Sequence, residues 1–292
     1  MSENTEAAVL YETNSDLVVE SLNLAVPGPT EVFVQMGAAG ICHSDVHVIS
    51  GQAKQIMPCV LGHEGAGRVT SVGEEVSRVI VGDHVVLSWL PYCKSCYHCV
   101  RGKTHLCKTF QTQVGNGTLM DGTCRFNNSS GPVRQLGSLG CWSESVVVPE
   151  ECCVSVDKSI PFEIAALLGC AVTTGVGADH VFEAVGKRAL QSAAIDYCCS
   201  GGTVTFVGLD SEDATINLKT TAITRAEKTI SGSIYGSACT DKDFLLYGEK
   251  FLDGDLPINL MVNRRYKLNE INIAINDMLE GKPGRGVIVF DN

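Results

Sequence analysis

Two cysteines and one histidine, far apart in the sequence, are of the residue types that hold a catalytic metal. His63 lies in the glycine-rich stretch Gly62-His63-Glu64-Gly65-Ala66-Gly67, Cys42 precedes it in Cys42-His43-Ser44-Asp45, and Cys170 follows much later. Two thiolates and one imidazole make up the three-ligand pattern of catalytic zinc, which leaves a fourth position open for water or substrate. We therefore predict a catalytic zinc held by Cys42, His63 and Cys170.

A second group of cysteines has the spacing of a closed structural zinc site. Four thiols follow one another in the compact segment Cys93-x2-Cys96-x2-Cys99-x7-Cys107. An all-thiolate tetrahedral site can hold a loop that has no hydrophobic core of its own, because metal affinity then contributes to folding. The alternative is a lobe that has lost its metal, and the intact spacing argues against it. The sequence thus predicts two zinc ions per chain.

The cysteine content also bears on the compartment. The chain has fourteen cysteines, and its N-terminus carries no hydrophobic signal region, so we expect a reducing, cytoplasmic location rather than a disulfide framework. Outside the two ligand sets, most of the cysteines are expected to be core or surface residues with no special role. They are Cys59, Cys124, Cys141, Cys152, Cys153, Cys198, Cys199 and Cys239.

Length and charge exclude several classes of partner. The 292 residues suffice for one or two globular domains. The formal net charge of -11, with no basic stripe to offset it, argues against nucleic acid or an anionic membrane surface as a partner. The longest apolar run, Ile164 to Val172, is too short to span a bilayer and contains Gly169.

Short β-rich segments must position the metal ligands. Their spacing suggests a partly open β-barrel that carries the Cys42 loop and the His63 turn. Residues 111–140 are rich in Gly, Asn and Ser and predict a loop. A helix from Pro161 to Leu168, with Ser159 as N-cap, would deliver Cys170 to the site. The predicted strands are 7–11, 17–19, 31–35, 67–70, 83–87 and 142–148.

These motifs closely resemble those of the zinc-dependent medium-chain alcohol dehydrogenases. The extended signature Gly62-His63-Glu64-x2-Gly67-x5-Gly73-x2-Val76 is present in full, as are the Cys-His-Ser-Asp loop and the four-cysteine lobe. The resemblance runs without a break from Ala7 to Ala178. It implies an α/β protein with a GroES-like barrel and a Rossmann-type parallel sheet, and it implies oxidation of an alcohol to an aldehyde or ketone with NAD(P).

The resemblance also implies roles for individual residues around the zinc. Glu64 would be an outer or alternate zinc ligand, and Ser44 would accept the alcohol proton and pass it through the cofactor ribose towards His47. Trp89 and Leu136 fall where the family lines its alcohol pocket, although core packing explains them equally well.

For the dinucleotide, the resemblance places Thr174 beside the nicotinamide and His43 near the pyrophosphate. Val207 and Gly208 would border the nicotinamide, and Arg285 would reach the pyrophosphate.

The sequence departs from the family after Ala178. The chain continues at Asp179-His180-Val181-Phe182, which in the family belongs to the far end of a long segment, so that roughly 80 residues, about one mononucleotide-binding half of a doubly wound fold, are absent. No Gly-x-Gly-x-x-Gly occurs anywhere in the chain. Without that turn no helix N-terminus meets the pyrophosphate, and without the following strand no acid grips the ribose.

The second half of the dinucleotide fold survives in the sequence. We expect residues 1–171 to form a zinc-binding catalytic domain to which 236–292 return, and 172–235 to be the remnant of the dinucleotide-binding domain. The predicted strands here are 181–183, 203–208, 229–234 and 286–290, and the predicted helices are 187–199, 241–252 and 268–279.

Three hypotheses for the function remain. The first is an alcohol dehydrogenase acting on a small-molecule alcohol or aldehyde, impaired by the loss of the glycine-rich turn. The second is a non-catalytic zinc-binding variant, produced by splicing, deletion or an incomplete gene model. The third, suggested only by the additional cysteines, is a zinc- and thiol-dependent redox sensor. The resemblance also implies a homo-oligomer formed through the last strand of the sheet.

Overall fold

A computed structural model describes residues 3–173, 181–282 and 284–290. It divides the described chain into two compact units, one made of the residues up to 172 and from 239 onward, the other of residues 173–238. Thr174 and the stretch 175–180 lie outside the described residues. Among the described helices, none combines the length and apolar character that a membrane span needs.

Strands outnumber α-helices among the described residues of the two units, and most of the helices are short. In chain order the strands are β1 Glu3–Leu10, β2 Val18–Leu24, β3 Glu31–Gly40, β4 Cys59–Val60, β5 Gly65–Val72, β6 His84–Leu87, β7 Phe126–Asn128, β8 Gly131–Gln135, β9 Ser145–Pro149, β10 Cys153–Val156, β11 Val181–Glu183, β12 Thr203–Phe206, β13 Thr229–Gly232, β14 Val262–Tyr266 and β15 Arg285–Val289. The α-helices are α1 His43–Ile49, α2 Lys108–Asn116, α3 Phe162–Leu167, α4 Arg188–Tyr197, α5 Thr220–Arg225, α6 Thr240–Leu252 and α7 Ile271–Leu279.

The predicted barrel is present in the first unit, and its ring of strands closes. The order is β1-β2-β7-β8-β4, and β4 completes the ring by pairing with β1 on one side and β8 on the other. The closing pairs are short: on the β1 side they join Val9 to Val60 and Leu10 to Cys59. The sequence predicts a partly open barrel, and this detail is wrong because β4 pairs with both β1 and β8.

A seven-stranded sheet in the same unit carries the metal-binding loops. Its order is β10-β6-β5-β3-β15-β14, and β9 pairs with β3 off this path. β3 is almost entirely buried because β5, β9 and β15 all pair with it. β15 pairs with the last residues of β3, so that Val287 lies opposite Gly40. The C-terminal segment therefore lies against the strand that leads directly into Cys42.

The core beneath the sheet packs against the His63 turn. Trp142 is fully buried, and its indole Nε1 donates to the carbonyl of Gly40 at 3.0 Å. Gly62 has a positive φ of 89°, and a Cβ there would lie 2.5 Å from the Trp142 ring. Both restrictions require glycine immediately before His63.

The second unit contains a small parallel sheet of order β11-β12-β13. Helix α4 follows β11 and helix α5 follows β12 along the chain, as in a βαβ fold. β12, the middle strand, buries Val204 completely. This is the truncated Rossmann-type sheet that the sequence predicts.

Two local predictions were wrong. Residues 111–140 are not a loop: they contain most of α2 together with β7 and β8. Phe110 of α2 is buried against Tyr92 and the cysteine lobe, so tertiary packing outweighs the polar, glycine-rich composition. Ser159 does not cap α3, because Pro161 is its N-cap and the Ser159 hydroxyl donates to Asp157 instead.

Besides β7 and β8, the prediction also missed the two-residue strand β4, Cys59–Val60, and two longer strands. The longer strands are β10, Cys153–Val156, and β14, Val262–Tyr266. β14 contains Arg264 and Arg265 and is only partly buried, so it has little of the apolar pattern by which strands are recognised.

A shielded ion pair inside the first unit should be critical for its stability. The guanidinium of Arg125 donates through Nε to Oε2 of Glu31 at 2.8 Å and through a terminal nitrogen to Oε1 at 2.5 Å. Arg125→Ala would leave the Glu31 carboxylate buried without its charge partner, so we expect the free energy of unfolding to fall by about 3 kcal/mol. Urea denaturation of the zinc-loaded protein measures this change.

Lys250→Ala is the matched control, because it breaks the exposed pair with Asp255. We expect it to cost less than about 1 kcal/mol. Equal effects of the two substitutions would show that the Arg125 pair contributes no more than a surface pair.

Candidate metal centre

The structure brings the predicted catalytic ligands together from three separate elements. Cys42 is the N-cap of α1 directly after β3, His63 precedes β5, and Cys170 lies in the π-helical turn Leu168–Val172 that continues α3. The ligand atoms of these three residues and Glu64 all lie within 4.8 Å of one another. This is a compact set of two sulphurs, one imidazole nitrogen and one carboxylate oxygen.

The histidine is prepared for a metal. His63 Nδ1 lies 3.0 Å from Oδ1 of Asp45, a hydrogen bond that assigns the proton to Nδ1. His63 Nε2 is buried and has no hydrogen-bond partner in the described part of the chain. A buried imidazole nitrogen with a free lone pair beside two thiols suits zinc. A hydrogen bond from Cys170 lowers the pKa of the Cys42 thiol well below its usual value, which favours the thiolate ligand.

Asp45 is the functional residue that sequence reasoning missed. Its carboxylate is fully buried and also accepts from the backbone N–H groups of Gly62 at 3.1 Å and Cys42 at 3.3 Å. One side chain therefore fixes the Cys42 loop, the turn before His63 and the His63 ring together. The available signal was its place in Cys-His-Ser-Asp, where it is the third residue of α1 and completes a capping box.

Glu64 is fully buried beside the three predicted ligands and pairs with Arg285. The guanidinium donates to Oε1 at 2.5 Å, whereas Oε2 has no hydrogen-bond partner among the described residues. Burial raises the pKa of Glu64 to about 7, against the opposing effect of the Arg285 charge. Gly40 is required here, since a Cβ at that position would lie 2.0 Å from Oε2. Arg285, predicted to reach a pyrophosphate, thus contacts the Glu64 carboxylate of the candidate ligand group.

An open cavity of about 230 Å³ in the first unit brings together two residues predicted to bind the dinucleotide, His43 and Arg285. Arg264, Lys282 and Asp277 also line it. The Asp277 carboxylate accepts from both of those cations. Cationic groups therefore outnumber the acid in this cavity, as an anionic ligand requires.

The predicted proton-relay residues lie on α1. Ser44 Oγ is 3.8 Å from Cys42 Sγ, next to the ligand set. His47 is near the other end of the helix, where Nδ1 forms a hydrogen bond with the side chain of Gln52. The structure thus places Ser44 at the metal centre and His47 one helical turn away from it.

The two residues assigned to an alcohol pocket lie next to the metal centre and next to the core. The Trp89 ring meets the His63 ring edge-on, with centroids 5.9 Å apart. Leu136 precedes Gly137, whose Cβ would lie 3.1 Å from the Cβ of Trp89. Both side chains are partly buried and pack against the main core. Pocket lining and core packing are therefore both consistent with their positions.

The four-cysteine lobe has the geometry of a tetrahedral thiolate site. Sulphur separations are 3.5 Å for Cys96–Cys99 and 3.9 Å for both Cys93–Cys99 and Cys96–Cys107. Zinc–sulphur bonds of about 2.3 Å in a tetrahedron place sulphurs about 3.8 Å apart, so the lobe fits zinc. The Thr109 hydroxyl donates to Cys93 Sγ at 3.1 Å and lowers the pKa of Cys93 to about 5.

The cofactor residues predicted on the second unit are engaged within it. The backbone N–H groups of Val207 and Gly208 both donate to the carbonyl of Glu183 at 2.9 Å. The described sheet has no strand beyond β11, and the sequence has no glycine-rich turn. A dinucleotide site of this fold needs strands on both sides of the crevice and a helix N-terminus at the phosphates. The described residues of the second unit do not fit that requirement. Thr174 cannot be placed, since it lies outside the described residues.

Comparison with known proteins identifies the family. An alcohol dehydrogenase GroES-like domain matches residues 28–158, and a zinc-binding dehydrogenase domain matches residues 165–246. A Mycobacterium tuberculosis (strain ATCC 25618 / H37Rv) protein that carries the name alcohol dehydrogenase D is 30% identical, over 98% of this chain and 99% of its own. The chain belongs to the zinc-dependent medium-chain alcohol dehydrogenase family.

Other relatives agree, and the alignment with one of them is longer than this chain. The NDMA-dependent alcohol dehydrogenase of Amycolatopsis methanolica is 29% identical, over 98% of each chain. Its alignment extends over 366 positions, more than the 292 residues present here, so this relative contains residues with no counterpart in this chain. The crystal structure of benzyl alcohol dehydrogenase from Acinetobacter calcoaceticus shares the fold, with a TM-score of 0.91 and 22% identity over 99% of this chain and 100% of that one. The predicted family and fold class are confirmed.

Asp45→Asn should loosen the metal centre selectively. The amide cannot provide the carboxylate charge that orients and polarises His63, so we expect zinc affinity at this centre to fall between about 10- and 100-fold. Zinc release to a coloured chelator should then show one fast phase and one unchanged slow phase from the cysteine lobe. Release of both zinc ions at wild-type rates would contradict the positioning role of Asp45.

Proposed function

We propose that this chain is an alcohol dehydrogenase-type oxidoreductase with a complete catalytic zinc centre and an incomplete dinucleotide site. The supporting observation is the buried Nε2 of His63, which has no hydrogen-bond partner among the described residues and lies beside two cysteine thiols and the Glu64 carboxylate. Its reaction would be the oxidation of a small-molecule alcohol to an aldehyde or ketone, and its NAD(P)-dependent activity would be weak. The names of relatives such as the NDMA-dependent alcohol dehydrogenase of Amycolatopsis methanolica and the alcohol dehydrogenase class-3 of Dictyostelium discoideum support the reaction class.

Cys42, His63 and Cys170 would hold the catalytic zinc, with Glu64 as an outer or alternate ligand. Zinc, when bound, supplies Lewis-acid polarisation of an alcohol oxygen. Asp45 would keep the His63 ring oriented for the metal throughout.

Side chains of this chain would also bind the alcohol and move its proton. Ser44 would accept the alcohol proton at Oγ, and His47 would receive it at its imidazole towards the surface. Trp89 and Leu136 would exclude water from the alcohol.

Only part of a dinucleotide site is provided. His43 and Arg285 share the cation-rich cavity of the first unit, which suits a diphosphate. The glycine-rich turn and the acid that would hold the adenosine ribose are absent from the sequence. Each loss of about 1.4 kcal/mol in binding energy lowers an affinity tenfold. The missing turn and acid would each contribute binding energy on this scale, so the affinity for NAD(P) would be low.

The second candidate is a non-catalytic zinc-binding protein, and the missing glycine-rich turn is the observation that favours it. In both candidates residues 1–171 and 236–292 form the zinc-binding domain, residues 172–235 are the remnant of the dinucleotide-binding domain, and two zinc ions bind per chain. We also propose a cytoplasmic homo-oligomer. The absence of disulfides among the fourteen cysteines, all of which lie in described parts of the chain, agrees with a reducing compartment.

Metal analysis tests the zinc assignment. We expect about two zinc ions per purified chain, because both ligand groups are preformed. Cys170→Ser should remove the catalytic zinc alone, and Cys96→Ser should remove the lobe zinc alone, so each variant should retain about one. A full complement of zinc in either variant would refute the assignment at that site.

Cofactor binding separates the two candidates. Calorimetric titration of the zinc-loaded protein with NADH should show no saturable binding at micromolar concentrations, because the pyrophosphate turn is absent. Alcohol oxidation should then be detectable only at millimolar NAD⁺. Saturable binding at micromolar NADH would overturn the proposal of an incomplete site. The absence of any alcohol oxidation even at millimolar NAD⁺, with two zinc ions present, would favour the non-catalytic candidate.

A further inference from the structure

Two adjacent cysteines outside both zinc sites share a tight turn in the second unit. Cys198 and Cys199 follow α4 directly, and the chain then reverses before β12. The N–H of Gly202 donates to the carbonyl of Cys199 at 3.1 Å, and Gly201 has a positive φ of 75°. A hydrogen bond from the fourth residue to the first, with glycine at the third position, defines a β-turn that needs glycine.

Because Gly202 has no side chain, a small space remains beside its Cα, and both thiols border it. We call this space the cradle. A Cβ at Gly202 would lie 2.7 Å from Cys198 Sγ and 3.1 Å from Cys199 Sγ. The separation of the two sulphurs therefore cannot exceed the sum of these distances. Since thiolate bonds to a soft ion are about 2.3 Å long, one ion bonded to both sulphurs requires them within about 4.6 Å. A rotation about χ1 of an exposed cysteine supplies an adjustment of this size.

Solvent exposure of the thiols distinguishes this pair from the other pair of cysteines adjacent in the sequence. Cys199 is exposed and Cys198 half-buried, and neither forms a disulfide. Cys152 and Cys153 are also adjacent in sequence, but both are buried in the first unit. Burial raises the pKa of Cys153 to about 12, and that of Cys152 well above its usual value. The chain thus contains one accessible pair of neighbouring thiols and one inert pair.

We propose that Cys198 and Cys199 form a two-thiol binding site for trivalent arsenicals, which bond to two sulphurs at once. No third cysteine, histidine or carboxylate joins these thiols in a ligand group within the described residues, so the donor set is too small for a tetrahedral zinc site. A monosubstituted arsenic(III) centre needs only two sulphur ligands. Soft thiolate donors match a soft acceptor of this kind.

The binding step is a condensation without electron transfer. With phenylarsine oxide, two S–H bonds and the arsenic–oxygen bond break, two arsenic–sulphur bonds form, and the oxygen leaves with both thiol protons as one water molecule. Arsenic remains trivalent and both sulphurs keep their oxidation state. The product closes a ring across the turn between α4 and β12.

Phenylarsine oxide and mass spectrometry of the full-length, zinc-loaded protein test the site. Zinc content is measured before and after addition, so that arsenic at the two zinc centres is distinguished from arsenic at the turn. We expect one phenylarsenic group per chain with zinc retained, loss of two titratable thiols, and a digest peptide in which Cys198 and Cys199 carry the group together.

Two variants and a control sharpen the test. Cys199→Ser removes one sulphur, and Gly202→Ala keeps both thiols while its methyl group fills the cradle. Each should weaken binding at least tenfold. Cys124→Ser, which removes a half-buried cysteine of the first unit, should bind as the wild type does.

The peptide map of the wild-type protein decides the outcome even if a variant fails to fold. Phenylarsenic found on other cysteines, with Cys198 and Cys199 still free, would overturn the proposal. Unchanged affinity in Cys199→Ser would do the same. Neither result depends on alcohol oxidation or NADH binding, so this proposal and the proposed function fail or succeed separately.

Discussion

One buried carboxylate organises the metal centre. Asp45 accepts three hydrogen bonds, from the Cys42 N–H, the Gly62 N–H and the His63 ring, and water reaches none of its surface. An ionised group can be buried in this way only when such donors surround it. These hydrogen bonds hold the Cys42 loop and the turn before His63 to each other without a metal. The hydrogen bond to Asp45 also orients the His63 imidazole.

Charge compensation extends this organisation to the end of the chain. Glu64 adds a second buried carboxylate beside the ligands, and Arg285 on β15 provides its counter-charge. β15 is available there because it pairs with the end of β3, the strand that leads into Cys42. The zinc-binding unit therefore needs both terminal parts of the chain and none of residues 173–238 to assemble its ligands, which is consistent with an intact metal site in a chain that lacks part of its dinucleotide fold.

Local patterns singled out residues that the structure brings together, and they failed where long-range contacts decide. Cysteine spacing and the short motifs around Cys42, His63 and Cys170 pointed to both candidate metal groups, because candidate metal ligands are recognised by residue type and local sequence pattern. The role of Asp45 depends on donors seventeen residues away, and the Glu64–Arg285 pair spans most of the chain. Helix α2 was missed because Phe110 packs on the lobe, a contact that composition does not reveal.

The interrupted first unit has a consequence for synthesis on the ribosome. Proteins generally begin to fold from the N-terminus while translation continues. Cys42, His63 and Cys170 emerge long before Arg285, which lies on the last described strand. The nascent chain therefore has its zinc ligands while Glu64 still lacks a cationic partner and β3 lacks its β15 neighbour. Metal that binds at this stage would fix the Cys42, His63 and Cys170 segments before β15 joins them.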